Sequence, residues 1–334
     1  MQSQSAQIIS EDKNYWLVRT QGGRYYDEFR RGGFIGINWN EITWSEIESK
    51  NQKEIISLLK DHNPDVRNPS NAARQLIVFR KVMKKGDTVI ITGKGSRVFS
   101  IGEITDDEFI TAEIDPDKLI NNPKLCPYEK RRNVTWLKEL TKWEVEMPMF
   151  KLLQHAQQTI TDAGEYQDYI ESKIHDFFIR GNNAQLTLRV KKEGHIPAVK
   201  FFTLGKELLD LAEEFLDSID DSSAVVEIDK VETQINLNSP GNFNFKGPTK
   251  IVAIVGLFVL IGTGVNIEIP TPMGDPLHIE TPGVAEAVTN FLNDKQEREH
   301  RQAIVDRYLD QLEVEKPEDL QRLLESTENS SESQ

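Results

Sequence analysis

The sequence predicts an α+β chain of two domains, and three observations carry that expectation. Short aromatic and β-branched runs bounded by glycine read as strands, and amphipathic segments of helical period are interspersed among them. All five tryptophans lie in the first 150 residues. Charge divides the chain: residues 1–150 hold 23 Lys and Arg against 22 Asp and Glu, whereas residues 151–334 hold 17 against 32. A polyanion would meet the first part and be repelled by the second.

The 334 residues suffice for two cores of ordinary size. Cys126 is the only cysteine, which excludes an intrachain disulfide, and the polar, acidic start has no signal pattern. A reducing, cytoplasmic location is expected.

The first part is organised around Tyr15–Trp39. Tyr15 to Arg19 reads as a strand that stops at Gly22-Gly23, where glycine accepts positive φ at low cost. A polar and aromatic turn follows, and a second strand is expected from Phe34 to Trp39. A helix from about Ser45 to Lys60 ends at Asn63-Pro64, and another opens at Asn68-Pro69-Ser70, with Ala72, Leu76, Phe79 and Met83 on its buried face. The window from Arg67 to Arg97 holds eight Lys and Arg against Asp87 alone, and reads either as solvated helix faces or as a phosphate-facing surface. Thr88 to Thr92 and Arg97 to Ile104 form a hairpin about Gly93-Lys94-Gly95-Ser96, a plain turn without the spacing of a phosphate loop. Residues 106–133 read as a polar excursion, Glu129 to Arg132 as a charged loop, and Val134 to Leu137 as a strand that closes the sheet.

Helices are expected from Phe150 to Gln158 and from Tyr166 to Ile179, with the domain boundary near Gly164. Strands follow at Leu186 to Val190 and Val199 to Phe202, then a helix from Lys206 to Leu216. Val225 to Ile228 and Val231 to Leu237 read as strands leading to a turn at Asn238-Ser239-Pro240-Gly241. Ile251 to Gly264 is the most apolar run, short for a bilayer and broken by glycines, so a buried helix is expected ahead of a membrane span. Val265 to Ile269 and Leu277 to Ile279 suggest a hairpin, Val284 to Leu312 a long helix, and residues 326–334 a disordered tail.

No ligand cluster joins the six isolated histidines, and neither a Walker sequence, a dinucleotide fingerprint nor a nucleophile elbow occurs. Glu227-Ile228-Asp229-Lys230 approaches a nuclease spacing but misses it by one residue and reads as a solvated strand end. No cofactor or metal is expected, and no motif supports calling the chain an enzyme.

Tyr15-Trp16-Leu17-Val18-Arg19, Gly22-Gly23 with Phe29, Gly33 to Trp39, Phe79 followed by Lys85 to Val89, Ile101 to Ile104 and Arg131 to Leu137 stand in a telling order. Over about 140 residues this set resembles the PUA-like superfamily, and more narrowly the EVE-like reader domains of Mrr- and McrB-type modification-dependent restriction proteins. The resemblance implies a bent β-barrel with flanking helices whose pocket accepts a modified base turned out of a duplex, or a base from a single strand. Stacking faces would come from Trp39 and Trp44 with Trp16 or Tyr25, edge contacts from Arg19 and Asn38, and phosphate contacts from Arg74, Lys94 and Arg97. Trp16 and Trp39 serve equally well as barrel core.

The expected organisation is a reader in residues 1–164 and a separate acidic α+β domain in residues 165–325 that binds a protein partner or self-associates. Modified DNA is favoured over RNA as ligand, in a bacterial, restriction-type or antiviral setting. The rival readings are a membrane-acting effector using Ile251 to Gly264 and a nuclease or nucleotidase with an unfamiliar site in the second part.

Overall fold

The computed structural model describes residues 8–122, 125–219, 227–236, 241–262 and 284–322. It divides into two units, residues 12–170 and residues 171–334 together with the start of the chain. Both are mixed α+β.

The first unit is built on a curled, half-barrel sheet. Its strands are β1 (Tyr15–Val18), β2 (Phe34–Ile37), β3 (Thr88–Thr92), β4 (Val98–Ile104), β5 (Ile110–Thr111), β6 (Lys130–Thr141) and β7 (Ile160–Asp162). They run in the order β2-β6-β4-β3-β1-β7, with β5 also on β6, and only β1 and β3 are parallel. The curl has a local cause. The first residues of β6 pair with β2 and the rest with β4, whose register shifts between Ile101 and Gly102. A Cβ at Gly102 would lie 2.7 Å from the Thr135 carbonyl oxygen, so glycine permits the close approach at this bulge.

The segment after Gly23 is not a plain turn but the helix α1 (Tyr26–Gly32), which buries Tyr26 and Phe29. The expected single helix after Trp39 is two: α2 (Trp44–Ser49) and α3 (Gln52–His62). Thr43 and Asn51 each form a capping box with a glutamate three residues on, so a second start signal interrupts the apolar stripe. Asn68 caps α4 (Pro69–Ile77), which continues into a π turn over Val78–Val82. Residues 106–133 hold β5, α5 (Pro116–Asn121) and the start of β6, and α6 (Met147–His155) precedes β7.

α7 (Gln167–Ile174) is shorter than the expected helix to Ile179, because Phe177–Arg180 forms the strand β8. In the second unit β8, β9 (Asn183–Val190), β10 (Glu232–Asn236) and β11 (Gly241–Pro248) form an antiparallel sheet ordered β10-β11-β9-β8. Ile8 bridges Ile179 in parallel. The expected strand Val199 to Phe202 lies inside α8 (Ala198–Ser218), where Phe201 stacks on Phe243 with centroids 4.6 Å apart; packing overrides the local β preference. Ile228–Lys230 is a 3₁₀ turn instead of a strand end, with Lys230 paired to Glu227 at 2.6 Å. The apolar run is α9 (Thr249–Gly262), buried from Ile251 to Leu260 among β9, α8 and later helices. The expected long helix is α10 (Val284–Asp294) and α11 (Gln296–Gln311), parted at Lys295. The hairpin expected over residues 265–279, most of the Asn238 turn and the tail lie outside the described residues.

Candidate functional site

Because β1 and β3 run parallel, their carboxyl ends open on the same side. The Thr20 hydroxyl donates to the Thr92 carbonyl at 2.5 Å, tying the two exits together. The turns beyond them touch: a Cβ at Gly23, whose φ is +89°, would lie 2.1 Å from the Lys94 backbone nitrogen, so no other residue fits there. These turns, Asn38-Trp39 beyond β2, the start of α4 and residues 156–159 after α6 surround a cavity of about 900 Å³. Exposed Arg19, Gln21, Asn38 and Arg67 on its wall leave it open to water.

The wall is polar and one-signed. It carries Arg19 and Arg67, the amides of Gln21, Asn38, Asn68, Asn71, Gln157 and Gln158, the rings of Trp39 and Tyr128, and no Asp or Glu. Its backbone is strained as well. Among the described residues four non-glycines have positive φ, and three of them, Gln21 (52°), Trp39 (68°) and Ser96 (52°), line this cavity. A bulky residue in the left-handed region is held there only where surrounding contacts over-determine it.

Those contacts exist at Trp39. Its carbonyl accepts from the Lys130 ammonium at 2.8 Å and from the Ile42 amide at 3.2 Å. Next to it the Asn40 side chain donates to the Pro127 carbonyl at 2.8 Å and accepts from the Glu129 amide at 3.1 Å. Lys130 is only 3% exposed, and burial lowers its pKa from the ordinary lysine value. Reading Glu129 to Arg132 as a charged loop is therefore corrected: Lys130 and Arg132 are inward positions of β6. Arg132, fully buried, donates to the carbonyls of Phe79, Met83 and Asp106, serving backbone oxygens at the π turn.

Of the residues chosen from sequence, the fold brings Arg19, Asn38 and Trp39 to the cavity wall. Lys94 and Arg97 are exposed on the turn that contributes Gly95 and Ser96 to it. Arg74 is exposed and donates to the Gln158 side chain, which also accepts from Gln75 at 2.9 Å. Trp16 and Tyr25 are placed in the core instead, and Trp44 lies half-buried against it. Trp16 is 7% exposed and its indole N–H donates to Asp87 at 2.8 Å. Tyr25 meets Tyr128 edge-on at 5.3 Å, and burial raises its pKa. Trp44 packs on Phe79 at 6.1 Å and Phe109 at 5.1 Å, away from the wall.

The wall amides and the role of Lys130 escaped the sequence reading. Asn and Gln scattered over five segments carry no spacing signal. Lys130, however, continues the period-two alternation through Arg132 and Val134 that marks a strand. Among the described residues no group of three His, Cys, Asp or Glu is placed to hold a metal ion, and no helix is long and apolar enough to cross a membrane.

Residues 15–163 match the model of a family described as a domain of unknown function, DUF8426. The match spans the curled sheet and the cavity. No curated protein and no solved structure matches the chain.

Proposed function

We propose that residues 12–170 are an EVE-like, PUA-class reader that accepts a modified base turned out of DNA, and that the following unit relays binding through protein contacts in restriction-type defence. The observation that carries this reading is Trp39, half-buried and held in a left-handed conformation at a cavity wall it shares with Arg19 and Asn38. A fixed indole face offers stacking worth about 1–3 kcal/mol per base, which offsets the few kcal/mol that extrusion from a duplex costs. Arginine and amide groups beside it supply donors and acceptors for a base edge. Arg74, Lys94 and Arg97 stand near the opening for phosphates.

The test is binding of the chain to matched duplexes carrying cytosine, 5-methylcytosine or 5-hydroxymethylcytosine at two salt concentrations. Modification-dependent binding that weakens with salt and disappears in Trp39→Ala is expected. Equal, negligible binding to all three would set the reading aside.

For the second unit, the packing of α9 counts against a membrane-acting role. α9 is buried on all sides, and its 14 residues span about 21 Å, short of the roughly 30 Å of a hydrocarbon core.

A further inference from the structure

The cavity carries a charge pattern that stacking of a base does not require. Two guanidinium-bearing residues open on it, Arg19 beyond β1 and Arg67 ahead of α4, and its wall has no carboxylate. Among the described residues neither has an ion-pair partner, and the same holds for Lys94 and Arg97 on the adjoining turn. Other arginines of this unit are matched, Arg30 to Glu139 at 2.7 Å, Arg80 to Glu48 at 3.1 Å and Arg131 to Glu28 at 3.6 Å, whereas Arg19 and Arg67 share one recess unmatched. Unmatched cations around a recess focus positive potential into it, which an anion relieves. The planar fork of arginine fits phosphate oxygens in particular.

Size points the same way. About 900 Å³ lies near the top of the roughly 300–1,000 Å³ that hold whole small ligands, leaving room for more than a ring stacked on Trp39. The side-chain amides of Gln21, Asn38, Asn71 and Gln157 on the wall offer donors and acceptors for a sugar and a base edge together, while the oxygens of Asn68 and Gln158 already accept from the Asn71 backbone amide and from Arg74 and Gln75.

We infer that the unit bound in this cavity is a whole nucleotide, its base on Trp39 and its 5′-phosphate between Arg19 and Arg67. The ligand class is a nucleoside 5′-monophosphate, free or as one residue of a strand. Arg19 is thereby a phosphate ligand instead of a base-edge contact, and Arg67 joins the site. The inference rests on reading this cavity as the nucleotide site.

Calorimetric titration of the full chain tests it, with the four standard deoxynucleoside 5′-monophosphates, 5-methyldeoxycytidine 5′-monophosphate, the matching nucleosides and inorganic phosphate as probes. At least one monophosphate is expected to bind tenfold or more tightly than its nucleoside. Arg19→Gln/Arg67→Gln should erase that difference while melting like the parent, since both side chains are exposed. Equal affinity for nucleotide and nucleoside, or a double variant that binds like the parent, would overturn it. The modified duplex, titrated in parallel, separates the sources. Duplex binding without monophosphate binding overturns the inference and leaves the DNA reader standing; monophosphate binding without duplex binding does the reverse. Silence from every probe overturns both.

Discussion

The Lys130 ammonium donates to the Trp39 carbonyl oxygen at 2.8 Å from a position that is almost fully buried. A lysine taken out of water is costly, and here its charge is spent on the carbonyls of Trp39 and Asn40, the latter at 3.3 Å. The bond fixes the backbone that presents the Trp39 ring to the cavity. Lys130 is thus a positioning residue for the proposed site.

Lys130→Met keeps the length of the side chain and removes the donor. The Trp39 carbonyl still accepts from Ile42, so melting is expected to shift by no more than a few degrees. Ligand affinity should fall about tenfold as the ring loses its fixed pose. Binding curves measured beside thermal melts check the split; unchanged affinity would remove Lys130 from this role.

The same lysine gives a pH dependence of defined sign. Burial lowers its folded-state pKa below the ordinary 10.5, so the folded chain binds fewer protons than the unfolded one between those values. Its contribution to stability therefore rises with pH across that window. Urea melts from pH 8 to 10 should show the parent gaining on Lys130→Met, and a gap that is flat or closes the other way would contradict the assignment.

Trp16 and Trp39 should separate cleanly. Trp16→Phe keeps a ring in the core but leaves the buried Asp87 carboxylate without its 2.8 Å indole donor. A loss of about 1.5–3 kcal/mol and several degrees of melting temperature is expected, with affinity retained. Trp39→Ala should do the opposite. Loss of binding in Trp16→Phe at temperatures where it is folded would return Trp16 to the site.

In the second unit, burial first and the Asp319 charge second raise the Asp176 carboxyl from 3.8 to about 6, although it accepts from the Glu318 and Asp319 amides at 3.0 and 2.9 Å. Burial pushes Asp319 upward too, but its bonds from His175 and the Asp176 amide bring it below its ordinary range. For Asp176 the folded state holds the proton more tightly, so its contribution is complete below pH about 4 and fades as pH rises through about 6. The change is on the order of 3 kcal/mol. Asp176→Asn should flatten the slope of stability between pH 4 and 7, read from urea melts of the two proteins.

Much of the first unit was legible because its signals are local. The Asn68-Pro69 start of α4, the Gly93–Ser96 turn between β3 and β4, and the buried face of Ala72, Leu76, Phe79 and Met83 each follow from neighbours in sequence. Val199 to Phe202 is the complementary case. A β-branched and aromatic run satisfies a strand template, and only its packing on Phe243 makes it helical.

The α+β class, the glycine-gated strands, the division of charge and the candidacy of Arg19, Asn38 and Trp39 were all written in the chain. These depend on residue type and on spacings of a few positions, which the chain carries without folding. Long-range packing put Trp16 and Tyr25 in the core with Trp44 half-buried against it, turned Lys130 and Arg132 inward, and gathered scattered amides around one cavity. An aromatic or a cation has the same local preferences in a core as in a binding site. Which of the two it occupies is set by contacts with residues far away in sequence, such as the 71 positions that separate Trp16 from Asp87.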